Sequence, residues 1–146
     1  MEKSEIEILL VEDDTDDAEM TIHALRKNNL ANKLTHLVDG EEALDFLFGR
    51  GKFTGRDINL RPRLILLDLK MPKIDGMGVL EKVKSHEVTK KIPVVILTSS
   101  KEDPDVSRCY KLGANGYIVK PVEFEGFTKA VAELGMYWML LNHPPT

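Results

Sequence analysis

Cysteine is nearly absent: Cys109 is the only one in 146 residues. That excludes an internal disulfide framework and a multi-cysteine zinc site. Its neighbours place Cys109 on a helix, where it reads as a small buried apolar residue. No run approaches the roughly 18 consecutive apolar residues that a membrane-spanning helix needs. The start, Met1-Glu2-Lys3-Ser4-Glu5, lacks the basic segment and apolar core of a signal peptide. A cytoplasmic protein with no membrane association is expected. Basic charge is also in deficit. The formal net charge of −4 argues against the basic face of a dedicated nucleic-acid binder, so no nucleic-acid partner is expected. Internal repeats, low-complexity segments and domain linkers are missing too. What remains is a chain of ordinary composition, 42% hydrophobic and 30% charged, long enough for one domain with a proper core.

The most informative residue present is Asp68. It follows the apolar run Leu64-Ile65-Leu66-Leu67 and precedes Leu69-Lys70-Met71-Pro72. The run is too short and too uniformly apolar for an amphipathic helix and reads as a fully buried parallel strand. An unpaired acid after four apolar residues needs an explanation. Open α/β sheets place their ligand sites at the carboxyl ends of strands, so an acid there either binds something or reacts with something.

Four more segments read as strands: residues 6–11, 33–38, 93–98 and 116–119. The second alternates apolar and polar, as an edge strand would, and proline is tolerated at the first position of the third. Helical patterns lie between them. Asp14 or Thr15 caps one that carries Ala18, Ile22 and Leu25 and ends near Asn28-Asn29. Residues 40–48 carry Ala43, Leu44, Leu47 and Phe48 on one face, and residues 75–86 carry Met77, Leu80 and Val83. Residues 102–112 carry Val106, Cys109, Tyr110 and Leu112 and stop at Gly113. The last helix is expected from about residue 123 to 141. Five β-α alternations argue a parallel sheet with helices on both faces. Residues 49–61, with three glycines and four basic residues, are expected to form an exposed loop.

The strand ends collect chemistry. Glu12, Asp13 and Asp14 follow the first strand, Asp68 the third, Thr98 ends the fourth, and Lys120-Pro121 follow the fifth. If strands one and three are neighbours, Glu12, Asp13 and Asp68 converge and raise one another's pKa. A hard divalent cation resolves that crowding, and clustered carboxylates with a backbone carbonyl and waters suit Mg²⁺. A cation, a hydroxyl and a lysine opposite one remaining acid are built for a phosphoryl group. Lys120 and Thr98 would engage its oxygens, and Asp68 would be the nucleophile. Each residue also has a plainer reading. The acidic triplet can complement a helix dipole, Lys120 can be a solvated lysine, and Thr98 and Tyr117 ordinary strand residues.

The combination resembles the receiver domain of two-component response regulators of the chemotaxis-Y type. The matching stretches are Leu10-Val11-Glu12-Asp13-Asp14, Leu67-Asp68-Leu69-Lys70-Met71-Pro72-Lys73-Ile74-Asp75-Gly76, Leu97-Thr98-Ser99-Ser100 and Gly113-Ala114-Asn115-Gly116-Tyr117-Ile118-Val119-Lys120-Pro121. Spacings of 30 residues from Asp68 to Thr98 and 22 from Thr98 to Lys120 suit the family. The 55 residues from Asp13 to Asp68 exceed a minimal receiver, and the 49–61 loop accounts for the excess. The resemblance implies a flavodoxin-like, doubly wound five-stranded sheet, (βα)5, with strand order 2-1-3-4-5. It implies that Asp68 accepts a phosphoryl group from a sensor histidine kinase or a histidine phosphotransfer protein. Asp13 and Asp68 would bind Mg²⁺ with the Lys70 backbone carbonyl, and Glu12 would act nearby through water. Lys120 pairs with the phosphoryl group, the Lys120-Pro121 peptide is cis, Thr98 moves inward and Tyr117 follows. Asp14 matches no site position and reads as a helix cap. The surface of helix four, strand five and helix five, including Val106 and Tyr110, would then change shape for a protein target or a second copy.

About five residues follow the expected last helix, so no output domain is expected and the chain reads as one receiver, 1–146. The long loop and the ending Gly135-Met136-Tyr137-Trp138-Met139-Leu140-Leu141 look like stand-alone regulators that serve phytochrome-type kinases. That apolar ending either packs on its own sheet or joins two copies. Other readings are a phosphorelay intermediate and a phosphorylation-independent scaffold, although every chemical position is filled. A haloacid-dehalogenase-type phosphatase needs a second acid where Lys70 stands. A flavodoxin-like cofactor module needs a glycine- and hydroxyl-rich loop where Glu12-Asp13-Asp14 stand. Lys70 therefore favours a parked phosphoryl group over turnover of a separate substrate.

Overall fold

A computed structural model describes residues 7–27, 33–99, 104–123, 125–126 and 128–129. The elements run β1 (Glu7–Val11), α1 (Thr15–Lys27), β2 (Lys33–Leu37), α2 (Gly40–Phe48), β3 (Leu64–Asp68), α3 (Gly76–Ser85), β4 (Val94–Thr98), α4 (Pro104–Lys111) and β5 (Gly116–Val119). All strands are parallel, in the order β2-β1-β3-β4-β5. The flavodoxin-like arrangement is thus observed. The expected last helix falls largely outside the described residues, and the apolar ending at 135–141 wholly so.

Strand side chains alternate between faces, and each face of the sheet has its own core. Leu9, Val11, Ile65, Leu67, Val94 and Ile96 point into one, which α2, α3 and α4 cover with residues such as Leu44, Leu80 and Val106. Ile8, Leu10, Leu64, Leu66, Val95 and Leu97 point into the other, which α1 covers with Ala18, Ala24 and Leu25. Burial on both faces explains why β3 and β4 are continuous apolar runs.

Caps end the helices where the sequence changes character. Asp14 Oδ1 accepts the Asp17 N–H at 2.9 Å, Asp39 caps α2 through the Glu42 N–H at 2.7 Å, and Asp75 caps α3 through the Gly78 N–H at 2.9 Å. Side-chain oxygens there satisfy donors that the first turn leaves open.

One expectation changes in detail. β2 is the edge strand, but its exposure does not alternate. Lys33 is exposed, Leu34 to His36 are half-buried and Leu37 is buried, because helices shield both faces even at the edge. Residues 49–61 form a mostly exposed connection, as expected, with structure of its own. A 3-10 turn at Gly51–Phe53 lays Phe53 edge-on against Phe46 at 5.2 Å. The Arg56 guanidinium stacks 3.9 Å over Phe46 and donates to Phe46 O at 3.1 Å and Leu60 O at 2.6 Å. The insertion is pinned to α2 by a cation and an aromatic ring.

Candidate functional site

β1 and β3 are adjacent, with Val11 opposite Leu67. The residues after that pair, Glu12 and Asp68, therefore meet at the carboxyl edge of the sheet. Both are buried, Glu12 fully and Asp68 to 2% exposure. Asp13 beside them is exposed. Carboxylate oxygens of Glu12, Asp13 and Asp68 lie within 4.8 Å of one another. β5 lies beyond β4, and Thr98 pairs in register with Val119. Thr98 O accepts the Lys120 N–H at 2.7 Å, and the Lys120–Pro121 peptide is cis. Lys120 reaches back across the strand ends. Its Nζ stands 3.3 Å from Glu12 Oε1, 3.3 Å from Asp68 Oδ1 and 3.1 Å from Asp17 Oδ2.

Backbone contacts fix the acids. The Asp14 N–H donates to Glu12 Oε2 at 3.2 Å, the Lys70 N–H donates to Asp68 Oδ1 at 3.4 Å, and a ring nitrogen of His36 sits 2.8 Å from Glu12 O. The turn after Asp68 closes through the Gly76 N–H on Leu69 O at 3.0 Å. Glycine is required at 76, since a Cβ there would run into Asp68 O and Leu69 Cα.

Electrostatics follow from this crowding. Burial first, and then the Asp68 charge, push Glu12 up to about 7. Burial also raises Asp68, against the opposing pull of Glu12's hydrogen bond and of Lys120. Burial alone would lower Lys120, but the charge of Asp68, the hydrogen bond to Asp17 and the charge of Glu12 outweigh it and hold the ammonium above its usual range. Three carboxylates thus contact one ammonium, with Asp13 beside two of them, and negative charge stays in excess. Hard oxygen donors in negative excess fit a divalent cation such as Mg²⁺ or Mn²⁺.

Among the remaining expected positions, Thr98 is buried at the end of β4. Tyr117 on β5 is half-buried, edge-on to Tyr110 at 6.4 Å. The Lys70 side chain is exposed, its ammonium 3.8 Å from Asp105 on α4. Glu12, Asp13, Asp68 and Lys120 are thereby brought together, while Tyr117 lies back along its strand. Asp17 was not expected at the site. The signal that could have found it is the cap: if Asp14 is the N-cap, Asp17 is held in the first turn beside the strand end.

A model of the response regulator receiver domain matches residues 8–132. The chain belongs to the response regulator receiver family. The receiver is 39% identical over 138 residues to a probable methanogenesis regulatory protein, FilR2, of Methanothrix harundinacea, covering 94% of this chain and 86% of that protein. It is 37% identical over 132 residues to the response regulator Rcp1 of Synechocystis, covering 90% and 88%. The Mn(2+)-bound structure of Rcp1 superposes with a TM-score of 0.76 at 35% identity, covering 97% of this chain and 99% of that one. The bacteriophytochrome response regulator RtBRR superposes with a TM-score of 0.84 at 49% identity, covering 99% of this receiver and 85% of that chain. Receivers of this family bind a divalent metal at an acidic pocket and interact with histidine kinases or phosphotransfer proteins. Among the described residues no helix is long and apolar enough to cross a membrane.

Proposed function

We propose that this protein is a cytoplasmic response regulator whose Asp68 accepts a phosphoryl group from a histidine kinase or a histidine phosphotransfer protein. The observation that carries the reading is the meeting of Glu12, Asp13, Asp68 and Lys120 at one point of the sheet edge. An Asp68 carboxylate oxygen attacks phosphorus, the P–N bond to the donor imidazole breaks, and that nitrogen takes up a proton. Lys120 and Thr98 engage phosphoryl oxygens. Asp13, Asp68 and the Lys70 carbonyl would hold Mg²⁺, with Glu12 acting through water; the ion would neutralise charge on the transferring group. No separate substrate is turned over.

The product carries about −1.5 to −2 charge at one buried point, in place of the single charge of the Asp68 carboxylate. Thr98 moves toward it, Tyr117 follows into the space released, and the face built from α4, β5 and the segment after it changes shape. Exposed Tyr110 and Val119 belong to that face, which would serve a protein target or a second copy of the chain. Likeness to the bacteriophytochrome response regulator RtBRR favours a phytochrome-type kinase as donor.

Incubation with Mg²⁺ and phosphoramidate, followed by intact mass measurement, tests the reading. One phosphoryl increment is expected on the wild type, none on Asp68→Asn, and none when the metal is chelated. A wild type that stays unmodified removes the phosphoacceptor role.

A further inference from the structure

Lys120 is held by three carboxylates at once, and the nearest, Asp17, comes from α1 rather than from a strand end. An ammonium has three donors and no acceptor, so each donor has one carboxylate. Glu12 and Asp68 belong to the set whose oxygens gather within 4.8 Å. The third member of that set is Asp13 and not Asp17. Asp17 therefore grips the ammonium from outside the group that suits a cation.

Asp17 is tied down without help from Lys120. Its N–H donates to the Asp14 cap at 2.9 Å, and its carbonyl accepts the buried Thr21 hydroxyl at 2.9 Å. The Asp17 backbone is thereby fixed in the first turn of α1, and its short side chain has two rotatable bonds against the four of a lysine, which goes where its partners lie. Between Glu12 and Asp68, an ammonium supplies the positive charge that a divalent ion would supply there. The two cations compete for the same oxygens.

We propose that Asp17 is a positioning residue for Lys120: it draws the ammonium toward α1 and keeps the Glu12–Asp13–Asp68 set open to Mg²⁺. The inference rests on the reading of that set as a cation site. Without Asp17, the ammonium keeps Glu12 and Asp68 as its partners among the described residues, settles between them and opposes the incoming ion.

Calorimetric titration of Mg²⁺ alone tests this in the wild type, Asp17→Ala, Asp16→Asn, Lys120→Met and Asp17→Ala/Lys120→Met. Asp16 is the exposed neighbour in the same turn, so its variant measures the loss of one charge there. Asp17→Ala is expected to weaken Mg²⁺ binding roughly three- to five-fold, as suits one part-exposed ion pair, and Asp16→Asn by less than about two-fold. In the Lys120→Met background the effect of Asp17→Ala is expected to shrink to that of Asp16→Asn. Thermal melts check that each variant is folded, and Asp17→Ser repeats the test if Asp17→Ala is not. Equal effects of Asp17→Ala and Asp16→Asn, or an Asp17 effect undiminished without Lys120, would overturn the proposal. A wild type that binds no Mg²⁺ would instead remove the cation site itself, a result in which Asp17 has no part.

Discussion

Glu12 and Asp68 share one ammonium and almost no water, and that sets how the residue-scale chemistry depends on pH. Glu12 rises from the ordinary 4.5 to about 7 in the folded protein. In the window between those values the folded state retains a proton that the unfolded chain has released. Stability linked to Glu12 is therefore full below about 4.5 and is lost as pH rises through about 7. Denaturant melts in a chelator should show that fall, and Glu12→Gln should flatten it. Unchanged pH dependence in Glu12→Gln would contradict the assignment. Protons and metal compete for the same oxygens, so Mg²⁺ affinity is expected to climb as pH rises through about 7. Calorimetric titration at a series of pH values measures it.

At the scale of elements, the turn from β3 to α3 does the positioning. Gly76 packs against the backbone of Asp68 and Leu69 with no room for a side chain. Gly76→Ala is expected to cost about 1–3 kcal/mol by overpacking and to displace Asp68, read as a lowered denaturation midpoint together with weaker metal binding. Asp14→Ala removes the cap of α1 and is expected to cost about 1 kcal/mol, measured by the same denaturation. The strands were legible because buried runs such as Leu64 to Leu67 carry their own signal, and the parallel order then brings Glu12 beside Asp68. What was not legible depends on contacts between distant segments. Asp17 reads as one more acid of a helix start until Lys120, 103 residues later, is seen against it. The stacking of Arg56 on Phe46 ties the exposed 49–61 insertion to α2, a contact that composition does not show. Gly76 looks like any glycine until the strand it abuts is in place.

For the whole molecule, the proposed function has charge added at the sheet edge felt on the face of α4 and β5. In the proposed switch Tyr117 is the link: it lies on β5 opposite Ile96 and meets Tyr110 of α4 edge-on. Tyr117→Ala is expected to accept a phosphoryl group normally and yet to lose the change at Tyr110. Tyr110 side-chain resonances with and without Mg²⁺ and beryllofluoride would register that change, and an undiminished response would exclude Tyr117 as the link. The receiver account as a whole rests on one covalent bond. Its most direct test is to phosphorylate the protein with Mg²⁺ and phosphoramidate, reduce it with borohydride and sequence the peptides by mass spectrometry. An acyl phosphate is reduced where a free carboxylate is not. The account predicts homoserine at position 68; homoserine at any other aspartate, or at none, would contradict it.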